Sequence, residues 1–394
     1  MMISTDNIKE TFAGLVAVDS PSLRERNMAD HLKKLFADIG IVLEEDDSAS
    51  ETGSDAGNLY GYVKGNGGPS LLLSAHMDTV MPGYGKKAVF HEDGKVTGSG
   101  STVLGADDVS GITEIYEALR YLKKTGRPHR DVELLFTTGE ELYGKGAKAF
   151  RYEKIRSRSA VVLDLSGRIG DVAYAAPTII SFEAEVFGKA AHAGFCPENG
   201  IHAVKACCEA VSLLSQGHIG EDITANIGQI SGGEGVNIVP EKCAVKGEIR
   251  SMCHEKAVDM AKQYRQVFSD CSEKYGARLK WREQTDIQAY ETSLQSGIAV
   301  GYEQACKQAG VAPRWIKTFG GSDNNVFALN GIEGIVAACS MNNVHSCGEY
   351  ANVAEMAKVS EILIELITQG TGKGIQTDFT VATMGAVDII YGEI

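Results

Sequence analysis

The sequence predicts an α/β fold, with a mostly parallel sheet flanked by helices and interrupted by a small α+β domain. Short apolar runs alternate with stretches of helical spacing in the first part of the chain, which is typical of parallel strands joined by helices. Near Gly167 the pattern changes to alternating apolar and polar residues, as in strands with one solvated face. The first pattern returns near Thr285, so we expect one discontinuous domain, residues 1–168 and 285–394, around an insertion at residues 169–284.

The elements of the discontinuous domain follow from hydrophobic periodicity. Two helices open the chain at residues 8–18 and 23–39, and Ser22-Leu23-Arg24-Glu25 has the pattern of a capping box at the start of the second. Four buried strands follow, at residues 59–63, 71–75, 132–137 and 160–164. A helix at residues 112–122 lies between the second and third of these strands. The part after the insertion has helices at residues 296–308, 324–329 and 353–367 and strands near 315 and at 335–338.

The insertion is predicted to be an antiparallel sheet with two helices. Its strands are expected at residues 179–186, 225–230, 244–251 and 279–281. Its helices are expected at residues 201–214 and 255–275. At the end of the chain, two apolar runs at residues 379–384 and 387–391 predict an edge hairpin.

Composition and charge exclude several classes of partner. The 394 residues are 43% hydrophobic and 23% charged, which allows a sizeable core, and the net charge of −14 disfavours nucleic acid and anionic membranes. No apolar run approaches the roughly 20 residues that span a bilayer. The nine cysteines are scattered and the first residues lack a basic segment followed by an apolar one. We therefore expect a cytoplasmic protein with reduced thiols.

Acidic and imidazole side chains collect at the ends of the predicted parallel strands. Ser74-Ala75-His76-Met77-Asp78 places an imidazole and a carboxylate two residues apart, on one face if the strand continues. Four further sites follow strands or precede a helix: Asp107-Asp108, Glu140-Glu141, Asp164 and His345. Taken singly they fit a helix cap, a solvated turn, a turn starter and a surface histidine. Five such sites at one sheet edge predict a metal centre.

The types of side chain indicate which ions would bind. Imidazoles with several carboxylates suit zinc, cobalt or manganese better than an ion that prefers thiolates. A catalytic zinc takes about three protein ligands, and paired ions lie roughly 3.5–4 Å apart, so a carboxylate should bridge them. Another carboxylate must stay outside the ligand set as a general base, and the adjacent Glu140 and Glu141 could divide these two tasks.

Together these motifs resemble the M20 family of dinuclear zinc peptidases, and most of all its peptidase T-like (tripeptide aminopeptidase-like) branch. The likeness covers nearly all of the chain before about residue 370. It is carried by His76-Met77-Asp78, Thr102-Val103-Leu104-Gly105-Ala106-Asp107-Asp108, Phe136-Thr137-Thr138-Gly139-Glu140-Glu141, Leu163-Asp164 and Val344-His345-Ser346. The resemblance implies a zinc-exopeptidase-like catalytic domain and identifies the insertion as a lid domain.

The resemblance also implies a set of metal ligands. Asp107 would bridge two divalent ions, and the peptide bond after it would be cis. His76 and Asp164 would complete the site of one ion, and Glu141 and His345 the site of the other. The implied ions are zinc, with cobalt or manganese as alternatives.

Five more residues have implied roles outside the ligand set. Glu140 would be the general base for the attacking water, and Asp78 would orient the neighbouring ligand histidine. In the lid domain, His192 would reach the carbonyl oxygen of the substrate, and Asn237 and Arg250 would hold the peptide. Without the resemblance, His192 is better interpreted as a hydrogen-bonded surface histidine, and Arg250 fits a solvated strand face equally well.

One further loop, Gly320-Gly321-Ser322-Asp323, resembles a family loop that lines the cleft, and a turn with a helix cap explains it about equally well. The expected function is metal-dependent hydrolysis of the N-terminal peptide bond of short peptides. The alternatives are an acyl-amino-acid deacylase on the same scaffold and a non-catalytic metal- or peptide-binding protein. The expected partner is a short peptide, with neither nucleic acid nor membrane, and a homodimer is a further expectation.

Overall fold

The computed structural model describes residues 3–369, and the hairpin predicted at residues 379–384 and 387–391 lies outside them. The helices of the described chain are α1 Thr5–Val16, α2 Arg26–Ala37, α3 Ala49–Thr52, α4 Ala106–Thr125, α5 Lys145–Ala149, α6 Ala203–Leu213, α7 His254–Lys274, α8 Gly297–Gln308, α9 Asp323–Leu329 and α10 Val353–Thr368. Its strands are β1 Leu43–Glu45, β2 Leu59–Val63, β3 Leu71–His76, β4 Val89–Phe90, β5 Lys95–Thr97, β6 Val132–Thr137, β7 Ser159–Leu165, β8 Asp171–Ala176, β9 Thr178–Phe187, β10 Gly217–Gly220, β11 Ile223–Gly232, β12 Lys242–Ser251, β13 Arg278–Ile287, β14 Tyr290–Glu291, β15 Arg314–Lys317, β16 Glu333–Ala338 and β17 Tyr350–Asn352.

The described chain forms two compact units. The first contains the described residues before Ala176 and after Tyr290, and the second is Ala176–Tyr290. Each unit has its own cluster of buried apolar side chains. The insertion predicted at residues 169–284 overlaps most of the second unit, and its role as a lid stays a prediction.

The first unit is built on a nine-stranded sheet, whose order is β1-β2-β6-β3-β7-β16-β8-β14 with β15 paired to β8. The central strands β6, β3, β7 and β16 run parallel to one another. Every residue of β3 and β6 is buried, which is why both strands are mostly apolar and show no regular alternation of apolar and polar residues. The mostly parallel sheet predicted from the sequence is confirmed, and its parallel strands bring their carboxyl ends to one edge.

Helix α4 packs directly on the centre of this sheet, against β3 and β7. A Cβ atom at Gly111 would lie 2.5 Å from the carbonyl oxygen of Leu163, so only glycine lets α4 approach β7 this closely. The approach matters because Leu163 directly precedes Asp164. Among residues 3–369, no helix combines the length and the hydropathy that crossing a membrane requires.

The second unit is a five-stranded antiparallel sheet of order β10-β11-β12-β9-β13. Helices α6 and α7 share one buried cluster with its strands, so one face of the sheet is covered. Trp281 of β13 stacks on Phe182 of β9, with ring centroids 4.9 Å apart. The antiparallel sheet and two helices expected for the insertion are confirmed in kind.

The start of α2 differs from the prediction. The capping box at Ser22 does not form, because the Ser22 hydroxyl donates a hydrogen bond to the Asp78 carboxylate instead. Leu23 has a φ of 68°, in the left-handed region, so the backbone turns before the helix can begin. Helix α2 therefore starts at Arg26, with Glu25 at its N-cap position.

Candidate metal centre and active site

The motif residues lie at one edge of the nine-stranded sheet, where the parallel strands end. His76 is the last residue of β3, Asp107 lies in the first turn of α4, and Asp164 is the penultimate residue of β7. Glu140 and Glu141 lie in a 3-10 turn after β6, and His345 lies in the loop between β16 and β17. Because these strands are adjacent and parallel, the fold brings together residues that are up to about 270 positions apart in the sequence.

Asp107 lies between the two imidazoles. Its Oδ1 is 2.9 Å from His76 Nε2, and its Oδ2 is 3.3 Å from His345 Nε2. The same His345 nitrogen lies 3.0 Å from Glu141 Oε2. One carboxylate thus faces two histidines through its two oxygens, which is the arrangement expected of a bridging ligand.

Asp164 and Glu140 lie close to His76. Asp164 Oδ1 is 3.9 Å from His76 Nε2. Donor atoms of His76, Glu140 and Asp164 all lie within 4.8 Å of one another, and those of His76, Asp107 and Glu141 form a second such group. The two groups share His76, and His345 joins them through its contacts with Asp107 and Glu141.

Asp78 is fully buried and has two sets of partners. Its backbone carbonyl lies 2.9 Å from His76 Nδ1, whereas its carboxylate oxygen lies 3.5 Å from the same nitrogen. The carboxylate also accepts hydrogen bonds from the amides of Glu140 and Glu141, at 2.9 and 3.3 Å. Asp78 therefore contacts the histidine and also holds the turn that carries both glutamates.

The backbone at the centre is irregular. The peptide bond between Asp107 and Asp108 is cis, as the resemblance implied, and both residues have non-helical dihedral angles within α4. Gly139, at a φ of 58°, turns the chain between β6 and the two glutamates. A residue with a side chain would be strained at this φ, which explains a glycine immediately before Glu140.

Residues 72–369 match the model of the peptidase family M20/M25/M40, and they include every predicted metal ligand. The chain belongs to this family. The family assignment agrees with the resemblance that the motifs carry.

Three relatives show which members of the family the chain is similar to. Peptidase T of Clostridium perfringens is 26% identical over 91% of this chain and 98% of its own. The crystal structure of aminopeptidase PepT from Bacillus cereus has a TM-score of 0.87 and 32% identity, covering 93% of this chain and 99% of that chain. The crystal structure of a tripeptidase from Staphylococcus aureus has a TM-score of 0.91 and 27% identity, with the same coverage. The α/β sheet with a second unit is thus the fold of the solved relatives.

The side chains of the peptidase fit a pair of divalent ions. If Asp107 is shared, the five predicted ligands supply three protein donors to each ion, the number typical of a catalytic zinc. All the donors are imidazole nitrogens or carboxylate oxygens, which suit zinc, cobalt and manganese.

The electrostatics of the centre point the same way. Burial and the repulsion between neighbouring carboxylates raise the pKa of Glu140 and of Asp164 well above the usual value, and raise the pKa of Glu141 as well. Burial opposes the ionisation of Asp107, yet hydrogen bonds with His345 and His76 hold its pKa below the usual range. Hydrogen bonds with Asp107 and Glu141 raise the pKa of His345 to about 10. The cluster thus has an excess of negative charge, which bound cations would neutralise.

The three residues predicted to contact substrate from the lid domain belong to the second unit. His192 is exposed, accepts hydrogen bonds from the amides of Gly194 and Phe195, and stacks on the Phe195 ring. The carbonyl of Asn237 accepts a hydrogen bond from the amide of Ala193, so the loops of His192 and Asn237 are neighbours. Arg250 is a half-buried residue of β12 that pairs with Glu248 at 2.8 Å. Their roles toward a substrate stay predictions.

One buried carboxylate beside the centre was missed by the sequence reasoning. Glu349 accepts hydrogen bonds from the amides of Gly105 and Asp107, at 2.7 and 2.9 Å, and so fixes the backbone of the predicted shared ligand. Burial raises the pKa of Glu349 to about 7. No motif marks this residue, since its only sequence signal is a position four residues after His345.

The loop Gly320-Gly321-Ser322-Asp323 has the helix-cap role that the sequence allowed. The Ser322 side chain accepts a hydrogen bond from the Asn324 amide, and a full capping box with Asn325 starts α9. Asp323 is buried, and its carboxylate accepts a hydrogen bond from the hydroxyl of Thr137, the last residue of β6. Burial raises the pKa of Asp323 to about 6.

Proposed function

We propose that this peptidase removes the N-terminal residue of tripeptides and other short peptides in a metal-dependent reaction. The observation that carries the proposal is the position of Asp107 between His76 and His345, with Glu140 in the same cluster. Metal-dependent peptide hydrolysis also agrees with the family and with relatives named peptidase T, PepT aminopeptidase and tripeptidase.

We assign the ligands as the family resemblance implies. Asp107 would be shared, His76 and Asp164 would hold one ion, and Glu141 and His345 would hold the other. Zinc is the proposed ion, with cobalt and manganese as alternatives. When bound, such ions supply Lewis-acid polarisation of the scissile carbonyl and lower the pKa of the attacking water.

Glu140 is the proposed general base. Its carboxylate takes a proton from the attacking water and later delivers that proton to the nitrogen of the leaving amine. Burial and the neighbouring carboxylates raise the pKa of Glu140 well above its usual value. Asp78 keeps the base in place through the hydrogen bond from the Glu140 amide.

For three residues of the second unit we propose the roles that the resemblance implies. His192 would donate a hydrogen bond to the developing oxyanion, and Asn237 and Arg250 would bind the peptide. The exposure of His192 and Asn237 supports these roles, since both side chains are accessible to a ligand. A cytoplasmic location is proposed from the nine cysteines, all of which are free thiols, and a homodimer remains part of the proposal.

A substrate panel tests the proposal directly. The purified enzyme, supplied with zinc, cobalt or manganese in turn, would be assayed on di- and tripeptides with free or acetylated amino termini. We expect release of the N-terminal residue from tripeptides with a free α-amino group and little reaction with the acetylated set. Cleavage of the acetylated set alone would favour a deacylase, and turnover of neither set would favour a binding protein.

A further inference from the structure

The turn that carries Glu140 and Glu141 is held by hydrogen bonds from consecutive backbone amides to buried side chains. Four consecutive amides, those of residues 138–141, each donate to the side-chain oxygen of a buried residue, and we call them the amide row. The pairs are Thr138 to Asn58 at 3.1 Å, Gly139 to Glu25 at 2.9 Å, Glu140 to Asp78 at 2.9 Å and Glu141 to Asp78 at 3.3 Å. Asn58, Glu25 and Asp78 are all 0% exposed.

Glu25 contributes to the row although it lies outside the motifs that contain the predicted metal ligands. Its Oε1 accepts the amide of Gly139 and also the amide of Leu23 at 2.8 Å, while its Oε2 accepts the hydroxyl of Ser54. A buried carboxylate is costly unless it is hydrogen-bonded, and these three donors are the compensation that its surroundings provide. Two of the donors are backbone amides, so Glu25 joins the segment before α2 to the turn after β6.

The segment before α2 contacts the turn at further points. The Ser22 hydroxyl donates to Asp78, which in turn accepts the amides of both glutamates. A Cβ atom at Gly139 would lie 3.4 Å from the Leu23 side chain, so Leu23 packs over this glycine. Residues 22–25 therefore restrain the backbone of the turn immediately before Glu140.

We propose that Glu25 is a positioning residue for the hydrolysis, because its hydrogen bond to Gly139 sets the direction in which the following Glu140 side chain leaves the backbone. The proposal rests on the proposed function, in which Glu140 is the general base. A base must lie within hydrogen-bond reach of the proton that it moves, and a displacement of about 1 Å can cost on the order of 100-fold in rate. Loss of the Glu25 acceptor leaves the amide of Gly139 without this hydrogen bond. Because glycine can adopt many backbone conformations, the turn would then vary more in its dihedral angles.

The chain provides a matched control in Glu133. This carboxylate is also 0% exposed, and it likewise accepts backbone amides, from Arg156 and Ser157, and hydroxyls, from Tyr60 and Ser157. It lies near the beginning of β6, whereas the turn with the two glutamates follows the end of that strand. Removal of either carboxylate should destabilise the fold, but only Glu25 contacts the amide row.

The test compares E25A, E25D, E25Q and E133A with the wild type on a tripeptide that has a free amino terminus. E25A removes the acceptor, and E25D keeps the charge but shortens the reach by one methylene. For both we expect kcat to fall about 10- to 100-fold, with KM within about threefold and metal content unchanged. E25Q retains one side-chain oxygen that can accept the amide of Gly139, so its kcat should stay within about threefold of the wild-type value. E133A should keep the wild-type kcat.

A second readout is independent of activity and of bound metal. Hydrogen exchange of the metal-free protein, followed by mass spectrometry of a peptide that covers residues 138–141, should be faster in E25A and E25D and unchanged in E133A. If E25A does not fold, the comparison of E25D with E25Q decides the question.

The proposal is overturned if kcat and exchange in E25D match the wild type, if E133A loses kcat equally, or if E25Q falls as far as E25D. A wild-type enzyme that cleaves no peptide would refute the proposed function instead. The exchange experiment would still show whether Glu25 holds the turn.

Discussion

Two adjacent glutamates in the centre have different surroundings. Glu141 lies 3.0 Å from the Nε2 atom of His345, whereas Glu140 groups with His76 and Asp164. The 3-10 turn after Gly139 produces this divergence, because successive side chains leave such a turn in different directions. One glutamate can therefore act as a ligand while its neighbour stays available to move protons.

Replacement of Glu140 by glutamine tests this division of tasks. The amide keeps the shape of the side chain but cannot take a proton, so kcat should fall by about 10²–10⁴. The two-ion content, measured by elemental analysis, should stay at the wild-type level. The control is E44Q, on the exposed Glu44 of edge strand β1, which should leave kcat unchanged. Loss of metal together with activity in E140Q would instead assign this residue to the ligand set.

Residues with recognisable chemistry at strand ends could be predicted from the sequence, while the residues that support them could not. His76 and Asp164 each follow an apolar run, so their chemistry and their position coincide in the sequence. Glu349 is one of 52 acidic residues and has no motif around it, and the only pattern that contains Glu25 predicts a helix cap instead of a contact with the centre. Their burial arises from contacts between segments far apart in the chain, which hydrophobic periodicity does not record.

Secondary-structure elements were predicted best where one periodicity extends over many residues. The parallel strands and the long helices α7 and α10 lie within a few residues of their predicted positions. Short strands such as β4 and β10, with two and four residues, were missed because pairing rather than composition defines them. The predicted start of α2 was wrong because a tertiary partner, Asp78, takes the hydroxyl that would have capped the helix.

The N-cap of α10 allows a test at the scale of one helix. The Asn352 side chain accepts hydrogen bonds from the amides of Ala354 and Glu355, at 2.9 and 3.3 Å. Its replacement by alanine leaves these amides without their acceptor, so the free energy of unfolding should fall by about 0.5–2 kcal/mol in urea titrations. N352D retains an acceptor and should recover most of the loss. Equal stability of N352A and the wild type would show that these hydrogen bonds contribute nothing net.

The loop after β3 contains a buried lysine that should make stability depend on pH. Lys86 is 2% exposed, and its ammonium donates to the carbonyls of Val18 and Gly83 and to the hydroxyl of Thr79. Burial lowers the pKa of Lys86 to about 8, from 10.5. Between these two pH values the unfolded chain binds more protons than the folded chain, so stability should rise with pH, by up to about 3 kcal/mol.

Urea titrations from pH 7.5 to 10.5 measure this dependence. K86M lacks the titrating group, so the rise in stability seen in the wild type should be smaller in the variant. K87M removes the exposed neighbouring lysine and should follow the wild-type curve. Parallel curves for K86M and the wild type would contradict the assignment of the rise to Lys86.

At the scale of the whole molecule, both units have a core of their own, but the predicted metal ligands lie in one unit only. All five of these ligands belong to the first unit. A ligand that binds only the folded form of one unit stabilises that unit by mass action and does not need to stabilise the other. Binding of metal should therefore separate the unfolding of the two units.

The two tryptophans make this separation measurable, because each unit contains one of them. Trp315 of β15 packs against the core of the first unit, and Trp281 of β13 belongs to the second. In W281F the remaining fluorescence reports the first unit, and its Tm should rise when zinc is added and fall with a chelator. A free zinc concentration 100 times the Kd corresponds to about 2.7 kcal/mol of stabilisation. In W315F the fluorescence reports the second unit, whose Tm should stay unchanged. Equal shifts in both variants would mean that the units unfold as one cooperative body or that both bind the ions.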